Sequence, residues 1–420
     1  MKIFNTISLQ IILKRLFISL IVLLFIRIGS FLPVPGINHI DLALYIQANP
    51  IAKSLVSTFS GDDIFVIGLF TLNIFPYINA SILVQLIIAF SPSLSRLQKE
   101  SDLNAKRSLN RLTRLITLIW AIIQSLSLAL YLRQILFDWN ISLLIEIVIC
   151  LTTGAMIVLW LSELITDYGL GNGPSLLIYT NIVSTFPNFY KKIIFTNTEK
   201  FNFFSISYIT LLIVTSLFGI VLLQEGVRRI PLLSSKQLNQ IFKKNSRLID
   251  SYIPLRLNQA GVMPIILTTT VLVFPTYISN LGVFHIFEIT LSSLVIFSKV
   301  FYWLTYFALI LTFSSFYSTI VLNPKDMSDQ LQKMAVTIPG IRPGVQTTYY
   351  LKKVMRRLTI LGALMLAILA TLPNLIEVTL NITNLNGLST TSLLIMVGVL
   401  VDISREVDDI IYSNIYKKIY

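Results

Sequence analysis

Two stretches place uncharged polar residues where long apolar runs would otherwise continue: "LNIFPYINASILVQL" (72–86) and "IPLRLNQAGVMPII" (253–266). The first holds Asn73, Pro76, Asn79, Ser81 and Gln85, and the second holds Asn258, Gln259, Gly261 and Pro264. Amides and hydroxyls there can hydrogen-bond a neighbouring span, water or a passing polar chain. Proline removes an i→i−4 hydrogen bond and clashes with the preceding turn, so Pro76 is expected to break the second apolar run. Broken backbone at membrane depth survives only against protein or a water-filled cavity. The pattern predicts two runs that line an aqueous path or a separable interface, with ordinary interhelical hydrogen bonding as the structural alternative.

Other chemistry is sparse. Arg27, Glu146 and Asp402 are the ionisable groups within the apolar runs, whereas a proton- or ion-coupled transporter needs carboxylates near the bilayer midplane. The serines have no His or Lys partner in those runs, which argues against an intramembrane hydrolase. His39 and His285 have no ligand-spaced companions, so no metal site is expected. The single cysteine, Cys150, excludes an internal disulfide. "GLGNG" (169–173) looks like a fragment of a dinucleotide loop, but it follows an apolar run rather than a strand, and that reading is set aside. Neither enzyme activity nor a cofactor is expected.

The elements that position these residues are built for lipid. The chain is 55% hydrophobic and 13% charged, with a mean hydropathy of +0.77, against roughly 25% charged residues in soluble domains. Ten spans are read at 16–33, 64–91, 112–131, 141–162, 174–190, 205–224, 258–280, 299–322, 358–378 and 388–405, each near the ~20 residues that cross hydrocarbon. The expected class is an all-α membrane protein. The first run is long enough to stay as a spanning helix, with no cleavage signal before it. An even number of spans puts both termini on one side. Of the 33 Lys and Arg, 26 fall in the N-terminal segment, in loops 92–114, 225–257 and 323–357, and in the tail from Arg405. That marks the cytoplasmic or stromal face. Loops 225–257 and 323–357 carry seven cations each, which suggests a docking surface for a large anionic partner such as a ribosome, or for a motor with acidic contact sites. Ten spans also divide into five and five near residue 200, giving halves 1–200 and 201–420 of opposite topology, as in inverted-repeat proteins. Gly and Pro are scarce while Ile, Asn and Lys are abundant, the bias of an AT-rich genome, whether an organelle's or a bacterium's.

Six motifs then occur in order: "LNIFPYINASILVQLI", "GLGNGPSLLI", "GVRRIP", "IPLRLNQAGVMPII", "NPKDMSDQLQKMAVTIPGIRPG" and "TSLLIMVGVLVD". Together they resemble the SecY family, the channel subunits of the Sec protein translocon, over about residues 16–410. The composition and short tails resemble the plastid-encoded branch. The resemblance implies ten transmembrane helices in two five-helix inverted-repeat halves, forming a clamshell around a central pore. It implies a passive protein-conducting channel that passes unfolded polypeptides across the membrane and releases apolar segments sideways into it. The implied pore ring is Ile74, Ile78, Ile178, Ile266 and Ile395; small apolar side chains gate by dewetting and by close fit around a passing chain. Where the family often has another apolar ring residue, this chain has Pro174, and the sixth ring position is left unassigned.

The segment at about 50–63 matches the family's plug. Asn79, Gln85 and Asn258 match its lateral gate, with Gln85 facing Asn258 and with Thr113 and Gln124 as lesser candidates for the same seam. Arg228, Arg229, Lys325 and Arg342 match its partner-docking loops, where the "IPG" and "RPG" turns would stiffen the tip. The implied partners are SecE-like and SecG-like subunits, a SecA-type ATPase, the ribosome, signal-bearing polypeptides and membrane lipids. The implied residence is the plastid thylakoid, or else a bacterial inner membrane, with both termini stromal or cytoplasmic. Two other classes stay in view. An inverted-repeat solute transporter would show carboxylates or a substrate-sized polar site at the midplane. A membrane insertase would keep polar residues inside but lack plug and ring.

Overall fold

The computed structural model describes residues 6–35, 68–91, 94, 103–132, 140–196, 203–234, 252–259, 261, 263–265, 267–268, 271, 295–321, 323–380 and 390–419. The apolar runs form helices: α1 (Thr6–Ser30), α2 (Phe75–Phe90), α3 (Leu103–Leu132), α4 (Ile141–Tyr168), α5 (Gly173–Thr196), α6 (Phe203–Glu225), α7 (Val295–Val321), α9 (Val345–Leu380) and α10 (Thr390–Ile419). Between α7 and α9 lies a short amphipathic helix, α8 (Pro324–Lys333). The expected span 258–280 falls mostly outside the described residues, though 263–265 and 267–268 are helical. Four short strands complete the described elements: β1 (Val227–Pro231), β2 (Leu233–Ser234), β3 (Tyr252–Arg256) and β4 (Val336–Thr337).

Several helices overrun the apolar windows that predict them. The stretches Leu9–Ser30, Asn104–Leu130, Ile141–Tyr168 and Val345–Thr371 are each long and apolar enough to cross a bilayer, but α3 and α9 begin well before their apolar parts. The first turns of α9 explain why. Leu351, Val354, Met355 and Leu358 are buried, while Lys352, Lys353, Arg356 and Arg357 are exposed. Such a stretch has helical period but little hydropathy, so a span count misses it.

The chain divides into two compact units, Met1–Lys200 with Val399–Tyr420, and Phe201–Gly398. In the first, α4 is central: Ile147, Leu151, Ala155, Val158, Leu161 and Ile165 form its buried stripe, and it packs against α1, α3 and α5, with α2 on α3. Thr117, Ala121, Ser125 and Ala129 bury one face of α3 at i, i+4 spacing; small residues there let helices approach closely. In the second unit α9 is central and packs against α6, α7 and α8. The outward faces are apolar: Phe17 and Leu24 on α1, Leu115 on α3 and Phe218 on α6 are each more than 60% exposed. Runs of exposed apolar side chains along helices of this length face hydrocarbon, and the chain is a multi-pass integral membrane protein.

The second expected span does not begin as a helix. Residues 68–74 form a chain of turns, closed by Leu69 N–H on Leu32 O (2.8 Å), Thr71 N–H on Gly68 O (3.1 Å) and Asn73 N–H on Phe70 O (2.9 Å). The expectation that Pro76 breaks this span is corrected by its position: the helix starts at Phe75 and Pro76 lies in its first turn. No intrahelical bond needs the missing N–H there, and its fixed φ suits the helix. The break lies upstream, and glycines seat it. A side chain on Gly68 would meet the Ser30 carbonyl, and one on Gly154 of α4 would meet the Leu69 carbonyl. The second unit repeats the device. Leu257, at the start of the seventh expected span, donates its N–H to Gly226 O (2.8 Å), and its carbonyl lies where a Cβ of Gly362 on α9 would be.

Gly154→Ala and Gly362→Ala should each lower stability by about 1–3 kcal/mol through forced backbone displacement. Thermal unfolding in detergent measures this, and unchanged midpoints for both variants would show that the non-helical entries are not wedged on these glycines.

Candidate functional site

The entry to α2 is closed by its own side chains. Asn73 takes a left-handed φ of 46°, a conformation that asparagine tolerates better than most residues. From there its Oδ1 accepts the Ile74 N–H at 2.8 Å, and Thr71 Oγ1 donates to Gly68 O at 2.6 Å. Beyond this turn Ile74 and Ile78 lie one helical turn apart and are 1% and 6% exposed. Asn79 and Gln85 are half-buried on the same helix, and Ile178 is half-buried on α5. Pro174 sits in the first turn of α5, half-buried. The structure thus brings Ile74 and Ile78 together and places Ile178 in the same unit, whereas Ile395 lies on α10 within the second unit. Ile266 and the segment 50–63 lie outside the described residues. Of the lesser candidates on α3, Thr113 is engaged by its own helix, donating to Leu109 O at 2.7 Å. Gln124 Oε1 is buried without a partner among the described residues.

The glycine-rich turn between α4 and α5 spends its amides internally. Gly171, at φ 87°, donates its N–H to Glu406 Oε2 of α10 at 2.6 Å, and Gly173 N–H goes to Thr166 Oγ1 at 3.0 Å. Arg15 of α1 lies 3.6 Å from the other Glu406 oxygen. A neighbouring fork joins α3 to α4: Arg114 Nε and NH2 reach the two Glu163 oxygens at 2.9 and 2.6 Å. The start of α1, the α4–α5 turn and the later part of α10 therefore meet at one end of the first unit.

The two long basic loops of the second unit fold as one body. β1 pairs antiparallel with β3, setting Arg228 opposite Leu255 and Arg229 opposite Pro254, and β2 pairs with β4 through Leu233 and Thr337. Ile230, Leu255, Leu331, Ile338, Leu351, Val354, Met355 and Leu358 form the shared core. The Asn323 side chain caps α8 by accepting the Lys325 N–H at 3.1 Å. The tip is braced at both ends: Ile341 N–H reaches Ile338 O (3.1 Å), Thr347 Oγ1 reaches Arg342 O (2.9 Å), and Ser328 Oγ reaches Gly344 O (3.0 Å). Gly340 and Gly344 take φ of 76° and 101° to make the turn. Arg228, Arg229, Lys325 and Arg342 are all exposed on this body. Arg229 is also stacked 4.8 Å from the Tyr252 ring, so its cation partly serves the hairpin. Lys352, Lys353, Arg356 and Arg357 were missed as candidates; their i, i+1, i+4, i+5 spacing beside buried apolar positions was the available signal.

The start of the seventh expected span is tied to its surroundings by polar side chains. Asn258, 8% exposed, donates through Nδ2 to Gly261 O at 2.8 Å. Ser318 Oγ of α7 lies 2.8 Å from Gln259 Oε1 and 2.7 Å from Thr359 Oγ1 of α9. The other end of the Gln259 amide, Nε2, is buried with no partner among the described residues. Ser318 and Thr359 carried no sequence signal beyond being hydroxyls in apolar helices.

A family model described as SecY matches residues 68–404. The chain is 61% identical over 410 residues to a protein translocase subunit SecY of Trieres chinensis, covering 96% of each. To that of Guillardia theta it is 42% identical over 412 residues, again covering 96% of each. To that of a Synechocystis species it is 38% identical over 413 residues, covering 96% of this chain and 93% of the relative. Its fold is similar to a SecY structure described by its plug domain, which stabilises the closed state of the translocation channel and maintains a membrane seal (TM-score 0.63, 16% identity, 94% and 92% coverage). It is also similar to Sec61 in the canine ribosome–channel complex from the endoplasmic reticulum (TM-score 0.59, 15% identity, 94% and 92% coverage).

The Glu406 junction has its own test. Glu406→Ala leaves the Gly171 N–H and Arg15 without their carboxylate, at a cost of about 1 kcal/mol for partly exposed groups. Limited proteolysis should cut faster in the α4–α5 turn and the C-terminal tail. An unchanged cleavage pattern would mean that the carboxylate does not hold these three segments.

Proposed function

This chain belongs to the SecY family, and from that premise we propose that it is the passive protein-conducting channel of a Sec translocon. It passes unfolded polypeptides across the membrane and releases apolar segments laterally into lipid. The observation that carries the reading is the paired construction of the second and seventh span entries: both leave the helix, and both are closed by polar side chains. A span that serves only as a lipid-facing wall has no use for such an entry, since a broken backbone in hydrocarbon must be satisfied by protein or water.

On this reading Ile74, Ile78, Ile178, Ile266 and Ile395 form the ring that seals the resting pore, with 50–63 as the plug above it. Asn79, Gln85 and Asn258 belong to the seam through which client segments leave. The halves 1–200 and 201–420 are the two sides of a clamshell, and the matched glycine seats of the second and seventh entries support a common origin. The body built from 225–257 and 323–357 is the docking surface for a SecA-type ATPase or the ribosome, with Arg342 at its tip and Arg228, Arg229 and Lys325 beside it. SecE-like and SecG-like subunits complete the assembly. The chain performs no catalytic step, and the work of translocation comes from the motor, the elongating ribosome or the membrane potential.

Contact between Arg15 near the N-terminus and Glu406 near the C-terminus supports both termini lying on the same face. Cation placement makes that face stromal or cytoplasmic. Similarity to algal and cyanobacterial relatives supports residence in the plastid thylakoid. Nothing in the geometry favours the transporter: Glu146 is exposed, and Asp402 is exposed and lies 3.6 Å from Arg405.

Two measurements test the reading. Ile78→Asn should give a stable protein with raised resting conductance in planar bilayers, because a polar ring residue wets the constriction. Loss of the protein from the membrane with no change in conductance would instead make Ile78 a packing residue. Arg342→Glu should leave folding within ~0.5 kcal/mol of wild type while blocking motor-driven export into vesicles, since charge reversal at a docking contact opposes association. Normal export by that variant would remove Arg342 from the docking surface.

A further inference from the structure

The polar cluster of Gln259, Ser318 and Thr359 lies wholly within the second unit, away from the proposed ring and docking tip. The Ser318 and Thr359 side chains are buried, at 3% and 7% exposure. Thr359 Oγ1 also lies 2.8 Å from Met355 O of its own helix. Most hydroxyls in these helices bond only their own backbone, as Thr117 does to Thr113 O at 2.7 Å and Ser125 to Ile122 O at 3.0 Å. Ser318 instead reaches outward to two other elements, so it joins α7, α9 and the seventh-span entry. The amide it grips is satisfied at one end and left unpartnered at the other, in a place that water does not reach.

A half-satisfied buried amide is pulled in two directions. Its bonded end fixes the entry, while its orphaned end destabilises the arrangement by the desolvation it has not recovered. Any displacement that brings the amide to water or to a polar group recovers that loss. Resting and displaced arrangements are thereby held close in free energy.

We propose that Gln259, gripped by Ser318 and Thr359, is a positioning residue that sets how readily the seventh-span entry leaves its resting turn, and with it the hydrophobicity a client segment must have to be released into lipid. The proposal rests on the channel reading above. It predicts opposite signs for two neighbouring substitutions. Gln259→Met keeps the side-chain length, removes the orphaned end, and leaves Ser318 bonded to Thr359. The resting arrangement gains, and the threshold rises toward more hydrophobic segments. Ser318→Ala leaves both ends of the amide unpartnered while Thr359 keeps Met355 O. The resting arrangement weakens, and the threshold falls. Thr359→Val shifts it the same way by a smaller amount and serves as the second variant should Ser318→Ala not accumulate.

The test is a graded series of signal segments differing in leucine content, scored for insertion by channels reconstituted in vesicles, with unfolding temperature followed in parallel. The expected result is a shift in the half-insertion point upward for Gln259→Met and downward for Ser318→Ala. Each shift corresponds to about a 5- to 30-fold change in the resting-to-displaced ratio. Shifts in the same direction, or none, overturn the proposal and make the cluster ordinary packing between helices. Failure of the channel reading looks different, because the wild-type protein would then show no dependence on segment hydrophobicity at all.

Discussion

Everything distinctive in this molecule depends on one requirement: backbone that leaves the helix within an apolar span must find every hydrogen-bond partner in protein. The stretch 68–74 meets it with tight turns, the Leu32 carbonyl and its own Asn73. Residues 257–261 meet it with the Gly226 carbonyl and the side chain of Asn258. Both solutions bring backbone against backbone, closer than any side chain would permit. That is why Gly68 and Gly154 flank the first and Gly226 and Gly362 flank the second. The second span leans on the fourth and the seventh leans on the ninth, which is the same relation five spans later. Two halves with little visible sequence similarity have kept a shared contact because the physics of the broken entry leaves few alternatives.

The helices were legible because hydropathy integrates over about twenty residues and tolerates local noise. Their ends were not, since α9 continues as an amphipathic helix through Lys352, Lys353, Arg356 and Arg357, where burial of Leu351 and Met355 replaces hydropathy as the driving force. Pro76 misled for a related reason. A proline breaks a helix only from its interior, and sequence alone did not reveal that the helix had just begun. The ring positions were legible through family resemblance and not through composition, since an isoleucine facing a pore and one facing lipid are the same residue in sequence.

The inner-side body illustrates the other limit. Its charge was plain in the sequence, and so was the stiffness of the "IPG" and "RPG" turns. Its architecture was hidden, because strands of two to five residues pair across about a hundred positions, Leu233 with Thr337. Pairings of that separation leave no periodic trace. The polar cluster was hidden too. Serines and threonines in apolar helices usually bond their own turn, and nothing in the string marks Ser318 as the exception.

These two unread features are mechanically joined. α9 runs without interruption from Val345, just past the Arg342 turn, to Leu380, about 54 Å at 1.5 Å per residue. Along its first half it carries the core that braces the docking tip, through Leu351 and Met355. It then carries Thr359, one bond from Ser318 and two from Gln259, and Gly362, against which Leu257 is seated. β3 approaches the same point from the other side, since Tyr252–Arg256 leads within two residues to Asn258. A load applied at the tip therefore meets no loop before it reaches the seventh-span entry. A straight helix resists bending over this length, so displacement of the body must appear as movement at Thr359 and Leu257 rather than be absorbed between them. The docking surface and the polar entry are two ends of one rigid element within the second unit, and an event at either end is felt at the other without any longer pathway through the protein.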